Sequence, residues 1–169
     1  MRSSPKLLTL ALALSASTLA AGPSTTPPPR QGVDALGALE GSWQSDTING
    51  VSALSRCAWT PARGALLCEQ AISSPQGEHR ALSLFTFDGA TGTYVFYALG
   101  KPGDLMRPVP LAINGRIWTY GGVAPAPDGH WYRTINDFTA GTSYAWRQES
   151  STDGATWVAG PHGRSTRLP

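Results

Sequence analysis

The sequence predicts an all-β domain built from short antiparallel strands. Gly and Pro are frequent, at 19 and 14 of 169 residues, and both residue types end helices and mark turns. From Gly41 onward, runs rich in aromatic and β-branched residues alternate with turn sequences about every ten residues, which is typical of a β-sandwich or a β-barrel. The hydrophobic share of 41% suffices for a packed core, and the charged share of 14% argues against a disordered chain.

Residues 1–21 have the pattern of a secretory signal peptide. Arg2 and Lys6 precede a short apolar run at 7–14, and small residues at 18–20 fit a signal-peptidase site. A membrane anchor is the alternative, but this run is shorter than the roughly 20 residues that a bilayer requires. We therefore expect a secreted or periplasmic protein whose mature chain does not insert into a membrane.

The segment 22–32 is predicted to be an extended tether, because it holds four prolines among Ser and Thr. The folded domain is then expected at 33–169. Without Arg2 and Lys6, the count of basic residues falls from 13 to 11 and equals the 11 acidic residues. A domain without net charge gives no electrostatic reason to expect a nucleic-acid partner.

The elements follow from local signals along the chain. A short helix is expected near 34–39, with Asp34 as its N-cap. Asn49-Gly50 and Asn114-Gly115 have the composition of two-residue hairpin turns, since both residue types tolerate a positive φ. The strands predicted most clearly by aromatic and β-branched residues lie at 81–87, 94–99, 117–120, 131–138 and 144–149.

The two cysteines provide a test of strand register. A turn at 61–64 separates the runs 54–60 and 65–72. If Thr60 pairs with Ala65, Cys57 lies directly opposite Cys68, close enough for a disulfide. Two free thiols with a catalytic or metal-binding role are the alternative, but an exported chain without grouped Cys or His favours the disulfide.

The hairpin formed by 131–138 and 144–149 holds the candidate ligand-binding residues. If Thr139 pairs with Thr142, alternation along the strands gathers one set of side chains on one face. That face would comprise Trp131, Arg133, Ile135, Asp137, Tyr144, Trp146 and Gln148. Inside a closed barrel of about eight strands, such a face can surround a cavity for a small ligand.

Two features of this face admit two interpretations each. Arg133 and Asp137 share a face and could orient a polar group of a ligand, or they could form an internal ion pair that only satisfies polar groups. Trp118, together with the aromatic residues of the hairpin, could form a ligand wall or could be ordinary core.

Motifs for catalysis, phosphate binding and metal binding are missing from the sequence. It contains no Gly-x-Ser-x-Gly elbow, no phosphate-binding Gly loop and no paired-His spacing, so we expect no cofactor and no metal. The segment 150–157 lacks the acidic ligands of a calcium loop and is predicted to be a tight turn. His130 is the candidate catalyst if the fold brings it to Asp137 or Glu149.

Leu39-Glu40-Gly41-Ser42-Trp43 and the predicted meander after it resemble the opening of calycin barrels, the lipocalin superfamily and its bacterial relatives. In that superfamily a Gly-x-Trp begins the first strand, and an arginine near the last strand packs across the tryptophan. Gly41 and Trp43 match the first part, and Arg164 or Arg167 would supply the arginine. The stretch 144–157 is similar to secreted bacterial domains of unknown function with the same barrel shape.

The resemblance covers 36–167 and implies a lipocalin-like, antiparallel up-and-down barrel of eight to ten strands after one short helix. It also implies that the protein binds a small molecule without a cofactor and without catalysing a reaction. Pro108 and Pro110 interrupt one expected strand and predict an edge strand or an open barrel.

The function expected from the sequence is that of an exported, non-catalytic barrel with a small apolar or amphipathic ligand in its lumen. The predicted ligand-binding residues are Trp131, Arg133, Asp137, Trp146, Gln148, Tyr144 and Trp118, with Trp43 closing one end. One alternative is a hydrolase or isomerase on the same barrel that uses His130 with Asp137 or Glu149. Another is a structural or protein-binding envelope domain with a fully packed core.

Overall fold

The computed structural model of the protein describes residues 32–99 and 107–169. The predicted signal peptide and the tether up to residue 31 lie outside the described residues. Gly32, assigned to the tether above, is the first residue of a 3₁₀ helix, Gly32–Leu39. Ten strands follow it: β1 (Gly41–Ser45), β2 (Ser52–Trp59), β3 (Ala65–Ser74), β4 (Gly77–Asp88), β5 (Thr93–Leu99), β6 (Arg107–Asn114), β7 (Ile117–Gly121), β8 (Trp131–Ala140), β9 (Ser143–Ser151) and β10 (Val158–Arg167).

These strands form one closed antiparallel barrel, which confirms the predicted up-and-down architecture. Each strand pairs with its neighbour in sequence, and β10 pairs with β1 to complete the ring. The chain therefore runs alternately up and down, so that every second connection lies at the same end of the barrel. We call the end beside the 3₁₀ helix the base and the opposite end, which carries the β1–β2 connection 46–51, the mouth.

The hairpin that joins β2 to β3 has the register predicted from the cysteines. The amide of Thr60 donates to the carbonyl of Ala65 over 2.9 Å, and Cys57 lies opposite Cys68. The two cysteines form a disulfide with a Cα–Cα distance of 4.0 Å. A structural disulfide of this kind is characteristic of oxidising compartments.

The two predicted Asn-Gly turns differ in their outcome. Ile48 pairs with Val51, and Asn49 has a φ of 51°, as a two-residue hairpin turn requires. At the second turn Asn114 is itself paired, with Ile117, so the turn consists of Gly115 and Arg116. The prediction there was wrong by one residue, because Asn114 contributes the last pair of β6 instead of entering the turn.

The base of the barrel is closed by the 3₁₀ helix and a cluster of apolar side chains. Leu36 and Leu39 of the helix are buried against Leu66 and Phe85 on the barrel wall. The hydroxyl of Tyr94 donates to the carbonyl of Gly32 over 3.1 Å and fixes the start of the helix. This end of the lumen is therefore filled.

The first and last strands meet at Trp43 and Arg167, which are paired across the sheet. The Arg167 guanidinium lies 4.5 Å from the centroid of the Trp43 ring and donates to the carbonyl of Ala38 over 3.2 Å. Trp43 is 2% exposed, and its indole N–H donates to the carbonyl of Leu39 over 2.7 Å. A side chain at Gly41 would lie 3.1 Å from the guanidinium of Arg167, so the glycine allows this stack. Arg167, and not Arg164, is the arginine that packs across the tryptophan.

The open barrel or edge strand predicted from Pro108 and Pro110 is wrong. Both prolines lie in β6 and pair with β5, opposite Tyr97 and Val95. The pairing of β6 with β7 begins only at Leu111. The sheet closes because the prolines, which lack an N–H, occupy the part of β6 that has one partner strand.

Replacement of Arg167 by Met is expected to lower the free energy of unfolding by about 1–3 kcal/mol, because it removes a charged hydrogen bond and a cation–π contact. Urea unfolding measures the change. Arg164→Met is the control, since Arg164 is exposed and, among the described residues, its guanidinium donates to the Ser143 hydroxyl alone. An equal loss of unfolding free energy in the two variants would mean that the stack on Trp43 does not stabilise the pairing of β1 with β10.

Candidate ligand-binding site

The mouth half of the barrel encloses a cavity of about 610 Å³. Its lining extends from Leu39 and Trp43 near the base to Ile48, Asn49 and Val51 in the β1–β2 connection. The volume lies within the range of roughly 300–1,000 Å³ that is common for small-molecule sites.

Small side chains on one wall account for the empty space. Ala53 and Ser55 of β2, Ala81 and Ser83 of β4 and Ala98 of β5 all line the cavity. A ring of ten strands is wider than the ring of about eight that side chains just fill. Alanine and serine are too short to reach across the lumen, and the described side chains therefore leave a cavity in the mouth half.

Trp146 dominates the opposite wall, and its position depends on a glycine in the adjacent strand. Gly163 of β10 is paired with Trp146, and a Cβ at Gly163 would lie 2.9 Å from Cζ2 of the indole. The indole therefore packs directly against the backbone of β10. Trp146 is only half-buried and lines the cavity, so part of its surface is available to a ligand.

Uncharged polar groups are distributed around the lumen. Thr134 and Gln148 are paired across β8 and β9 and both line the cavity. The Gln70 amide donates to the Ser55 hydroxyl over 3.3 Å. The Asn136 amide donates to the Tyr120 hydroxyl over 3.2 Å. The lumen can thus offer hydrogen bonds to a ligand without presenting a charge.

Asp46 is the only charged side chain among the described residues that line the cavity. It lies at the mouth, where its carboxylate accepts the backbone N–H of Arg164 over 3.1 Å. Burial raises the pKa of the Tyr144 hydroxyl, and burial together with the neighbouring Tyr144 raises the pKa of Tyr120 well above its usual value. Both phenols therefore stay neutral at physiological pH.

The floor of the cavity is formed by aromatic side chains and the disulfide. Cys57 and Cys68 both line it, beside Trp43 and Phe85. Directly opposed residues of an antiparallel pair project to the same face, so the cross-strand bridge of β2 and β3 projects into the lumen. The predicted position of Trp43, at one end of the lumen, agrees with this arrangement.

The register predicted for the β8–β9 hairpin is wrong by one residue. Thr134, Ile135 and Asn136 pair with Gln148, Arg147 and Trp146, and a bulge lies between Asp137 and Ala140. Because side chains alternate along a strand, a shift of one residue exchanges the two faces of β8. Phe138 explains the direction of the shift, since it packs inward with its ring centroid 4.9 Å from that of Trp118.

The predicted ligand-binding residues consequently separate into three groups. Tyr144, Trp146 and Gln148 line the cavity as expected. Trp118 points inward but is 1% exposed within the base core, below the cavity. Trp131, Arg133 and Asp137 alternate with the cavity-lining residues of β8 and lie on the outer wall, which corrects the position predicted for them.

An ionic and aromatic cluster occupies the outer wall near the mouth. The Arg133 guanidinium lies 3.8 Å from the centroid of the Trp157 ring and 2.6 Å from the Glu149 carboxylate. Arg147 contacts the same carboxylate over 2.8 Å. The hydrogen bond from Arg147, with a further one from Arg133, lowers the pKa of Glu149. This cluster holds the connection 152–157 against the barrel.

Asp137 does not pair with Arg133. Its carboxylate lies 3.1 Å from Nε of Arg116, in the turn between β6 and β7 at the base. Neither interpretation proposed for the Arg133–Asp137 pair therefore applies, because each residue has a different ionic partner on the outer wall.

The catalytic grouping proposed around His130 is not assembled among the described residues. The His130 side chain is 50% exposed, and its ring contacts Asp128 in the connection between β7 and β8. Asp137 and Glu149 are each paired with arginines.

The turn predicted within 150–157 is present. The Asp153 carboxylate accepts the backbone N–H groups of Ala155 and Thr156, and these hydrogen bonds hold the pKa of Asp153 well below its usual value.

Several lining residues were not identified from the sequence. They include Ser55, Gln70, Ala81, Ser83, Thr134 and Asn136. Thr134 and Asn136 could have been found from Phe138, because residues two and four positions before an inward aromatic side chain project to the same face of the strand. The small residues of β2 and β4 carry no distinguishing signal, because alanine and serine are equally common on outer faces.

Replacement of Gly163 by Ala is expected to displace the Trp146 indole and to lower the free energy of unfolding by about 1–3 kcal/mol, as other overpacked substitutions do. Near-UV circular dichroism and urea unfolding report the two effects. Gly141→Ala is the matched control, because a Cβ at Gly141 meets no atom within 4 Å. An unchanged aromatic dichroism in Gly163→Ala would contradict the close packing described here.

The Glu149 ion pairs are expected to make stability dependent on pH. Since the arginines lower the pKa of the folded carboxyl below its ordinary value of 4.5, the stabilisation is present above that value and is lost as the pH falls through the folded pKa. Glu149→Gln should therefore have a lower urea midpoint than the unmodified protein at pH 7, and the difference should vanish in acid. Glu69→Gln, at an exposed position of β3, should show no such trend, and a difference for Glu149→Gln that is independent of pH would contradict the assignment.

Within 32–99 and 107–169 no cluster of three or more His, Cys, Asp or Glu side chains could hold a metal ion. The same residues contain no helix with the length and apolar character needed to cross a membrane.

Comparison of the chain with models of known protein families and with curated proteins gives no match.

Proposed function

We propose that this protein is an exported, non-catalytic barrel that binds a small apolar or amphipathic molecule in its cavity. The observation that carries the proposal is the cavity of about 610 Å³ between Trp146 and the small side chains of β2 and β4. Burial of apolar ligand surface against these walls supplies the free energy of binding. The uncharged polar groups of the lumen allow the ligand to carry polar substituents.

The cavity favours binding over the alternative of a structural domain with a packed core. A packed interior leaves few voids larger than a water molecule. Among the described residues the aromatic cluster fills only the base, and a cavity lies in the mouth half. The enzymatic alternative lacks a supporting geometry in the described residues, because His130 contacts Asp128, whereas its proposed partners Asp137 and Glu149 are paired with arginines.

Export is supported by two independent features. The pattern of residues 1–21 is that of a signal peptide. The Cys57–Cys68 disulfide is of the kind that persists in oxidising compartments. We accordingly assign the protein to the periplasm or the extracellular space, with a small molecule as its partner.

Filling the cavity is expected to weaken binding. Ala81→Trp places an indole in the lumen and should weaken binding of the neutral fluorescent probe N-phenyl-1-naphthylamine by about tenfold or more. The measurement is the fluorescence enhancement of the probe during titration with protein.

The control is Ala71→Trp on the neighbouring strand. Gln70 pairs with Ala81 and Ala71 pairs with Arg80, so the two alanines are adjacent in the sheet. Ala71 is exposed on the outer wall, whereas Ala81 lines the cavity. Equal affinity of the two variants, or the absence of saturable binding by the unmodified protein, would refute the proposed function.

A further inference from the structure

The strand order places Trp146 directly across the lumen from small side chains. In the closed ring β9 and β4 are separated by five steps in either direction, so they are diametrically opposed. Trp146 and Tyr144 are the large side chains of the β9 wall, whereas Ala81 and Ser83 are the small lining residues of β4. The space in front of the indole is therefore not occupied by a side chain of the facing strand.

The indole of Trp146 packs against the backbone of β10 on one side and lines the cavity on the other. The backbone at Gly163 supports it on one side, because no Cβ intervenes there. Large rigid aromatic side chains of this kind stack on planar rings and form edge-to-face contacts with them. A long flexible chain could fill the same space, but it would not make the stacking contact that a planar ring makes with the indole.

The described lining residues include no cationic side chain that could pair with a buried anionic group of a ligand. Lys, Arg and His are absent from the described lining residues, and the Asp46 carboxylate at the mouth already accepts the N–H of Arg164. Transfer of an unpaired ion into such a lumen costs several kcal/mol. An anionic ligand would therefore find no counter-ion among the described side chains that line this cavity.

The polar groups of the lumen match neutral substituents instead. Ser83 is only 4% exposed, and it lines the cavity. Gln148 and Thr134 face the cavity from the same wall as Trp146. A hydroxyl, amide or carbonyl group of a ligand satisfies such groups without the cost of burying a charge.

We propose that the cavity selects an uncharged, planar ring system that stacks on Trp146 in the space left by Ala81 and Ser83. This inference rests on the proposed function and narrows it to one class of ligand. Linear acyl chains and anionic amphiphiles are the two classes that the geometry disfavours.

The charge preference is tested with two probes that share one ring system. N-phenyl-1-naphthylamine is neutral, and 8-anilinonaphthalene-1-sulfonate carries an anion on the same rings. We expect the neutral probe to bind at least about tenfold more tightly at pH 7.5, and Gln148→Lys to reduce this ratio by about fivefold or more by pairing with the sulfonate. Gln148 is exposed, so the substitution should not prevent folding.

The preference for planar rings is tested with Trp146→Leu. Loss of the stack should weaken the neutral ring probe by about fivefold to tenfold, while binding of 1-octanol, measured by calorimetry, should change by less than about twofold. Near-UV circular dichroism and the urea midpoint establish that the variant is folded. Phe96→Leu serves as the matched control, because Phe96 also lines the cavity but belongs to β5, and it should leave the ratio of the two ligands unchanged.

The outcomes separate the two proposals. Equal affinity for the neutral and anionic probes, or an equal loss of ring and alkyl ligands in Trp146→Leu, would overturn the inferred ligand class while leaving ligand binding intact. Failure of the neutral probe to bind saturably would instead overturn the proposed function, and the inferred class would fall with it.

Discussion

The pairing of β1 with β10 is the constraint on which the remaining geometry depends. It joins the two ends of the sheet at Trp43 and Arg167, and the Arg167 guanidinium also reaches the carbonyl of Ala38 at the end of the 3₁₀ helix. One side chain thus links the first strand, the last strand and the base helix. A closed sheet has no edge strand that could pair with another chain. Because the closed ring contains ten strands, closure also sets the width of the lumen that side chains must fill.

With the width fixed, the sizes of the inward side chains decide where the barrel is solid and where it is hollow. At the base, Trp118 and Phe85 contact further aromatic rings, with Trp118 and Phe138 centroids 4.9 Å apart. Toward the mouth, alanine and serine replace these rings on β2 and β4. The boundary between core and cavity follows from this change in side-chain size along the same strands. The disulfide lies at that boundary, where it belongs both to the buried cluster and to the cavity floor.

The sequence predicted features that depend on local rules and missed those that depend on one additional residue. The β2–β3 register follows from the turn between Thr60 and Ala65, so the disulfide could be predicted. The bulge after Asp137 cannot be inferred from turn composition, and it moved Trp131 and Arg133 to the outer wall. The faces of β9 were nevertheless correct, because the aromatic residues Tyr144 and Trp146 lie two positions apart and so project to the same face. Two prolines suggested an open sheet, although their cost depends on which neighbouring strand is paired at those positions.

The up-and-down course of the chain assigns different tasks to the two sets of connections. The buried cluster at the base draws its residues from the helix and the strands, with no contribution from the connections 46–51 or 122–130 at the mouth. Asp46, Ile48 and Asn49, by contrast, contribute to the cavity rim. The rim of the cavity and the packed core of the base are therefore formed in part by separate stretches of sequence. A substitution or insertion in the connection 46–51 would therefore change the rim of the cavity without removing a side chain from the packed base.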